Sequence, residues 1–242
     1  MEYFFQYLAN SLIGYSLELI AALAGIYYLN KKVSLNKSDY FLVYFLWFTF
    51  FVEVIGIYAP FAYFSKYEYF GFIKDTVIEN NIWLYNIYLL VSYSFFIYYF
   101  RSFLQKAKEK KVLKTLIFLF LVFGLINLLY SGVFFNDYSL FSTIIGSLLV
   151  LISVILFYFN ILKSDKIINL KKYLPIYVSI GVLVFNLCMT PLDIFSKYFS
   201  EENRLFIEVK TNILIFSNIF MYTAFIIGFL VCAKKETKLK PL

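Results

Sequence analysis

SLFSTIIGSLLVLISVILFYFNI, residues 139–161, runs for 23 residues without a charge and is followed by the lysine-bearing KSDKIINLKK of 163–172. A stretch that long and apolar reads as a membrane-spanning helix. About 20 residues at ~1.5 Å of rise each cross the hydrocarbon core of a bilayer, and a helix satisfies its own backbone there. Working outward in both directions, the same reading places further spans near 11–29, 40–64, 82–101, 113–134, 174–196 and 210–232. The fold class expected is therefore all-α, a polytopic integral membrane protein with seven transmembrane helices forming a single domain over 1–242.

The basic residues set the orientation. Seventeen of the 22 fall in the loops 30–39, 101–114 and 163–172 and in the tail after Ala233, and five fall in the alternate loops. The positive-inside rule then puts the N-terminus outside and the C-terminus in the cytoplasm, with the bacterial cytoplasmic membrane as the expected location. The acids follow the opposite bias weakly, four on the basic side against eight opposite.

With 62% hydrophobic and 15% charged residues, the seven spans consume nearly the whole chain and leave no room for a separate soluble domain. A net charge of +7 has the sign that nucleic acid requires. The lysines, however, lie beside helix ends, where they meet anionic lipid headgroups, so no nucleic-acid partner is expected. Cys188 and Cys232 sit inside different spans and read as neither a disulfide nor a metal pair. The first ten residues, MEYFFQYLAN, carry no basic stretch of the signal-peptide kind, and translocation is expected to start with the first span. The absence of histidine removes bis-histidine haem, HExxH zinc sites, Ser-His-Asp triads and Cys-His pairs. No catalytic residue, metal or cofactor is expected, and the chain is not read as an enzyme. A retinal pigment needs a lysine deep in the last helix, whereas Lys210 stands at its mouth. Much of the 23% aromatic content matches what AT-rich codons encode.

Sliding the chain against itself by 131 residues lays APFAYFSKY (59–67) on TPLDIFSKY (190–198). Pro60, Phe64, Ser65, Lys66 and Tyr67 then coincide with Pro191, Phe195, Ser196, Lys197 and Tyr198. The same offset pairs Ser11, Ser16 and Tyr27 with Ser142, Ser147 and Tyr158, and one further residue of slip pairs Asn86 with Asn218. Proline is scarce in this chain, so a match anchored on it carries weight. The expectation is a 3+1+3 parallel repeat, with halves 1–103 and 139–234 and a linking helix over 113–134. This architecture resembles the SWEET and PQ-loop families of sugar and amino-acid transporters, with a proline in the second helix of each triplet and an asparagine in the third. The resemblance implies flexing points at Pro60 and Pro191 and substrate contacts at Asn86 and Asn218. The chain departs from the pattern in having no Pro-Gln dipeptide and no proline in the first helix of either triplet. The likeness is one of architecture, and architecture alone assigns no function.

Charge at bilayer depth costs a few kcal/mol and marks functional candidates. Glu18 shares a helical face with Gly14, Ala21, Ala22 and Gly25, and Glu53 shares one with Thr49, Gly56 and Pro60. Small residues mark the packed face of a membrane helix, so both carboxylates are expected to point into the bundle. They would lie roughly 10 and 16 Å below the outer ends of their spans. No lysine or arginine is expected at that depth. Either the acids carry protons or a cation fills the gap, and the alternative is a neutral carboxyl held by Ser, Tyr or backbone oxygen. Their repeat partners, Leu149 and Val184, are apolar.

Asp193 precedes Lys197 by four residues, which a local ion pair explains. Asn127 and Asn186 belong with Asn86 and Asn218 as cavity-lining residues or, more commonly, interhelical hydrogen-bonders. Trp83, Tyr40 and Tyr130 read as interface anchors, and Pro175 as a first-turn proline. The run RSFLQKAKEKKVLK (101–114) reads as lysines at the headgroups or as a docking site for a cytoplasmic partner.

The leading expectation is a secondary carrier or facilitator for a small polar solute. Its midplane site would be lined by Glu18, Glu53, Asn86 and Asn218, with proton or cation coupling. The alternatives are a receptor-like sensory module signalling to a cytoplasmic partner such as a histidine kinase, and an assembly subunit of a larger membrane complex.

Overall fold

Lipid offers no hydrogen-bond partners, so each span must pair its own backbone. In the computed structural model, which describes residues 2–196 and 204–233, the chain is helical with no strand among those residues. Its helices are α1 (Glu2–Lys31), α2 (Lys37–Gly56), α3 (Tyr58–Phe64), α4 (Ile82–Ser102), α5 (Ala107–Tyr130), α6 (Val133–Asn136), α7 (Leu140–Leu162), α8 (Leu174–Phe195) and α9 (Arg204–Ala233). Seven segments are long and apolar enough to cross a membrane: Ser11–Lys31, Lys37–Phe64, Ile82–Ser102, Ala107–Tyr130, Leu140–Leu162, Leu174–Phe195 and Leu205–Ala233. The chain is a multi-pass membrane protein by this architecture.

The second span, expected over 40–64, runs from Lys37 to Phe64, and its helical hydrogen bonding is interrupted at Ile57 between α2 and α3 while the backbone there keeps right-handed helical angles. Pro60 has no N–H to offer the Gly56 carbonyl and its ring crowds that carbonyl. The carbonyl accepts instead from Asn81 Nδ2 at 2.9 Å. Pro191, its sequence counterpart, sits inside an unbroken α8. The fourth span shifts from the expected 113–134 to Ala107–Tyr130. Its lysine-rich start is made of good helix formers. Past its far end Gly132 adopts a left-handed φ of +71°, which favours glycine, and separates off α6. Pro175 falls in the first turn of α8, where its missing N–H costs nothing.

Six helices pack in a closed circuit, α1 on α2, α2 on α4, α4 on α7, α7 on α8, α8 on α9 and α9 back on α1. Helix α5 lies outside the circuit against α4 and α7. Helices α1 and α9 run in the same direction, since Tyr222 meets Glu18 and the Phe229 ring packs on Tyr28. The small-residue faces set the close approaches. A Cβ placed on Gly25 would stand 2.8 Å from Val43 Cγ2, and one on Gly181 would stand 3.1 Å from the Met221 carbonyl. Gly14 is the exception among glycines of the spanning helices, because a Cβ there meets nothing within 4 Å.

The lysine-poor end is closed by the 65–81 loop. The Tyr58 hydroxyl meets the Ile78 and Asn80 carbonyls at 2.8 and 2.6 Å, Trp83 Nε1 donates to the same oxygen at 2.9 Å, and Tyr67 donates to Glu79. Trp83, expected as an interface anchor, is thus also a clasp for this loop. At the lysine-rich end Asn160 Oδ1 accepts from the Gln105 backbone N–H at 3.0 Å, Asn160 Nδ2 reaches Glu109 at 2.9 Å, and Arg101 Nε donates to the Lys110 carbonyl at 2.6 Å.

Gly181→Val drives a side chain into the backbone of α9 and is expected to cost about 1–3 kcal/mol, read as a lower thermal unfolding midpoint of the purified protein in detergent. Gly14→Val, placed where there is room, is expected to stay within about 0.5 kcal/mol of the parent.

Candidate functional site

Glu18 turns inward from α1, as its face of Ala21 and Ala22 requires: both alanines are buried and the glutamate is only 8% exposed. Oε1 accepts from the Tyr222 hydroxyl of α9 at 3.2 Å, while Oε2 is buried with no hydrogen-bond partner. Glu53, half-buried on α2, accepts from the Tyr85 hydroxyl of α4 at 2.7 Å. The local sequence explains that bond. Gly56 lies one turn from Glu53, and a Cβ on it would stand 2.8 Å from the Tyr85 hydroxyl oxygen. Glycine therefore gives Tyr85 the room to reach the carboxylate, and Asn81, at the N-cap of α4 one turn before Tyr85, takes up the carbonyl that Pro60 frees.

Glu18 and Glu53 lie within electrostatic reach of one another, and Tyr15, Tyr85, Tyr88 and Tyr222 share that field. Tyr88 and the buried Thr49 join α4 to α2 at 3.2 Å beside them. Neither carboxylate has an ion-pair partner among the described residues. The site is thus two acids bordered by phenols, spread over α1, α2, α4 and α9.

The two asparagines expected beside the acids part company. Asn86 is fully buried, but its carboxamide is spent on the connection between α5 and α7. Nδ2 faces the carbonyls of Val133, Phe134 and Asp137 at 3.3, 3.1 and 2.9 Å, and Oδ1 accepts from the Ser139 backbone N–H at 2.9 Å. Asn127 accepts from the Ser139 hydroxyl at 2.9 Å in the same corner. Both ends of the Asn86 carboxamide are engaged by this turn, where the Phe134 and Asp137 carbonyls take its amide protons and the Val133 carbonyl also accepts from the Asp137 N–H at 3.0 Å. Asn186 bonds back to the Val182 carbonyl at 2.8 Å. Asn218 alone remains half-buried without a hydrogen bond among the described residues, one turn before Tyr222 on the same face of α9. Asp193 pairs with Lys210 at 2.9 Å, tying α8 to α9. The Lys197 expected to pair with it lies outside the described residues.

Sequence reasoning missed Tyr85, Tyr88 and Tyr222. Their signal was spacing: Tyr85 and Tyr88 sit one turn apart, and Tyr222 follows Asn218 by four. In a chain so rich in tyrosine the pattern was indistinguishable from composition. A separate groove of about 300 Å³ runs between α2 and α4, lined by Phe41, Phe45, Phe48, Val91, Phe95 and Tyr98. It is an apolar surface feature.

Asn86→Ala leaves the α5–α7 turn unpaired and is expected to cost about 2–3 kcal/mol, whereas Asn218→Ala should change stability by less than about 0.5 kcal/mol. Thermal unfolding in detergent separates the two. The reverse order would return Asn86 to the site. Set against protein-family models, curated proteins and solved structures, the chain matches none of them, and its function is read from this site.

Proposed function

We propose that the chain is a small secondary carrier or facilitator for a polar solute, built as two helix triplets around Glu18 and Glu53. It would stand in a bacterial cytoplasmic membrane with its N-terminus outside and its C-terminus inside, the lysine-rich end meeting anionic headgroups. The packing order supports the two-triplet reading. Helices α1, α2 and α4 follow one another in the circuit, then α7, α8 and α9, with α5 as the outlying linker. The triplets then meet at two seams, α4 with α7 and α9 with α1.

The observation that carries the carrier reading is the inequality of those seams. The α4–α7 seam is latched at both ends by carboxamides, Asn86 on Ser139 at the lysine-poor end and Asn160 on Gln105 at the lysine-rich end. Across α1–α9 the one side-chain hydrogen bond among the described residues is Tyr222 to Glu18. That seam is tight on the lysine-rich side of Glu18, where Tyr28 and Phe229 are completely buried, while on the other side a Cβ at Gly14 would meet nothing within 4 Å. Rocking of one triplet against the other would therefore pivot on α4–α7 and open along α1–α9. The change of access would make or break the Glu18 bond, so that occupancy of the carboxylates sets which face is open. The sequence repeat points to Pro60 and Pro191 as hinges. Pro60 stands at a helix break and Pro191 in a continuous helix, so flexing would belong to the first triplet more than the second.

A receptor reading is favoured by a different observation, the ordered lysine-rich end. Arg101, Gln105, Glu109 and Asn160 fix the α4–α5 connection as a firm surface that a cytoplasmic signalling partner such as a histidine kinase would require.

Solute flux into liposomes holding the purified protein is expected to be lost in Glu53→Gln. It is also expected to fall at least tenfold when Gly14→Cys and Asn218→Cys, in a background lacking Cys188 and Cys232, are cross-linked across the α1–α9 seam by a short bis-methanethiosulfonate reagent, which spans a gap too wide for a direct disulfide. Reduction should restore it. Folded protein that gives no flux with any solute, yet is stabilised by one of them, would favour the receptor. Fusions of periplasm-active and cytoplasm-active reporters to the C-terminus test the orientation, with activity expected only from the cytoplasmic one.

A further inference from the structure

The hydrogen-bond inventory around Glu18 is lopsided. Tyr222 and Tyr85 each spend their single hydroxyl proton on a carboxylate. What remains is acceptor capacity: Glu18 Oε2, buried and unpartnered, and the lone pairs of both phenols. A second acid, Glu53, adds to the same field with no ion-pair partner among the described residues. A buried acceptor left unpaired is costly, and a group that satisfies several acceptors beside two acids at once is a multiply donating cation.

One turn from Glu18 the packing leaves room for an added atom. Gly14 precedes Glu18 by one turn on the same face, and open space surrounds its Cβ position, whereas every other glycine of the spanning helices is packed against a neighbour. Because α1 and α9 run parallel with Tyr222 level with Glu18, the register brings Asn218 level with Gly14. Asn218 is half-buried with no partner of its own. Tyr15, beside Gly14, shares the field of Glu53.

We propose that the space between α1 and α9 at Gly14 and Asn218 is a binding site for a small protonated amine, whose ammonium group donates to Glu18 Oε2 and is neutralised by Glu18 and Glu53 together. An ammonium brings three N–H donors and a unit charge in the volume of a methyl group. Aromatic side chains near it favour a cation with a hydrocarbon substituent. This names a substrate class for the carrier's site, and it rests on the carrier reading for movement of the amine across the membrane, though not for its binding.

The test measures binding and flux separately on the full chain in nanodiscs and liposomes. Butylammonium chloride is expected to raise the unfolding midpoint saturably, while butanol, of the same shape without the charge, and matched sodium or potassium chloride do not. Glu18→Gln and Gly14→Leu are each expected to weaken butylammonium binding at least tenfold. Gly14→Leu keeps both acids and fills only the space, so it guards against a loss that comes merely from misfolding, and its unliganded midpoint should match the parent. A response to sodium or potassium alone, a response to pH with none to the amine, equal effects of butanol, or unchanged binding in Glu18→Gln and Gly14→Leu would each overturn the amine site. Butylammonium binding with no uptake would sustain the site and overturn the carrier reading. Uptake of a neutral solute with no amine binding would do the opposite.

Discussion

A polar group inside a bilayer has nowhere to turn except another part of the protein, and the arrangement of this bundle follows from that constraint. Backbone groups are settled by making helices. Where a helix is interrupted, a side chain from a neighbour must supply what the backbone lost. Pro60 releases the Gly56 carbonyl and Asn81 takes it up; the α5–α7 turn exposes carbonyls and Asn86 gathers them. These amide contacts decide which helices are held together firmly, since lipid gives no hydrophobic advantage to helix contact itself.

The same constraint leaves Glu18 conspicuous. Asparagines 86, 127, 160 and 186 have all found partners, and Glu53 has its tyrosine. Glu18 has one partner for two oxygens, at the seam where carboxamide latches are absent among the described residues. Loose packing at Gly14, an unsatisfied acceptor at Glu18 and an idle carboxamide at Asn218 fall on one stretch of one interface. A structural carboxylate would be expected where packing is tightest, because there its neighbours could be fixed around it.

The sequence made the seven crossings legible because span length and lysine placement are properties of a single segment and its flanks. It also made the inward aim of both acids legible, through the small residues on their faces. The turn contacts of Asn86 were not legible because they join it to a segment some fifty residues away, and the Phe134 and Asp137 carbonyls that take its amide protons are placed only once Gly132 sets the turn. The break at Ile57 was hidden for a related reason: proline permits either a kink or a continuous helix, as Pro60 and Pro191 illustrate. The phenols at the acids were lost in a chain with 23 tyrosines, where residue type carries little information and only the partner across the bundle distinguishes one from another.

Two acids at this depth are a greater burden than one. By insertion scales each costs about 3 kcal/mol at the centre of a span, together a sizeable share of the roughly 5–15 kcal/mol by which proteins are stable at all. A purely structural hydrogen bond of Tyr222 or Tyr85 returns about 1 kcal/mol, and a glutamine in either position would make that bond without the charge. The hydrogen bonds therefore do not account for the carboxylates. What a carboxylate does that glutamine does not is take up a proton or hold a cation, and one turn from Glu18 the Gly14 position leaves room beside it.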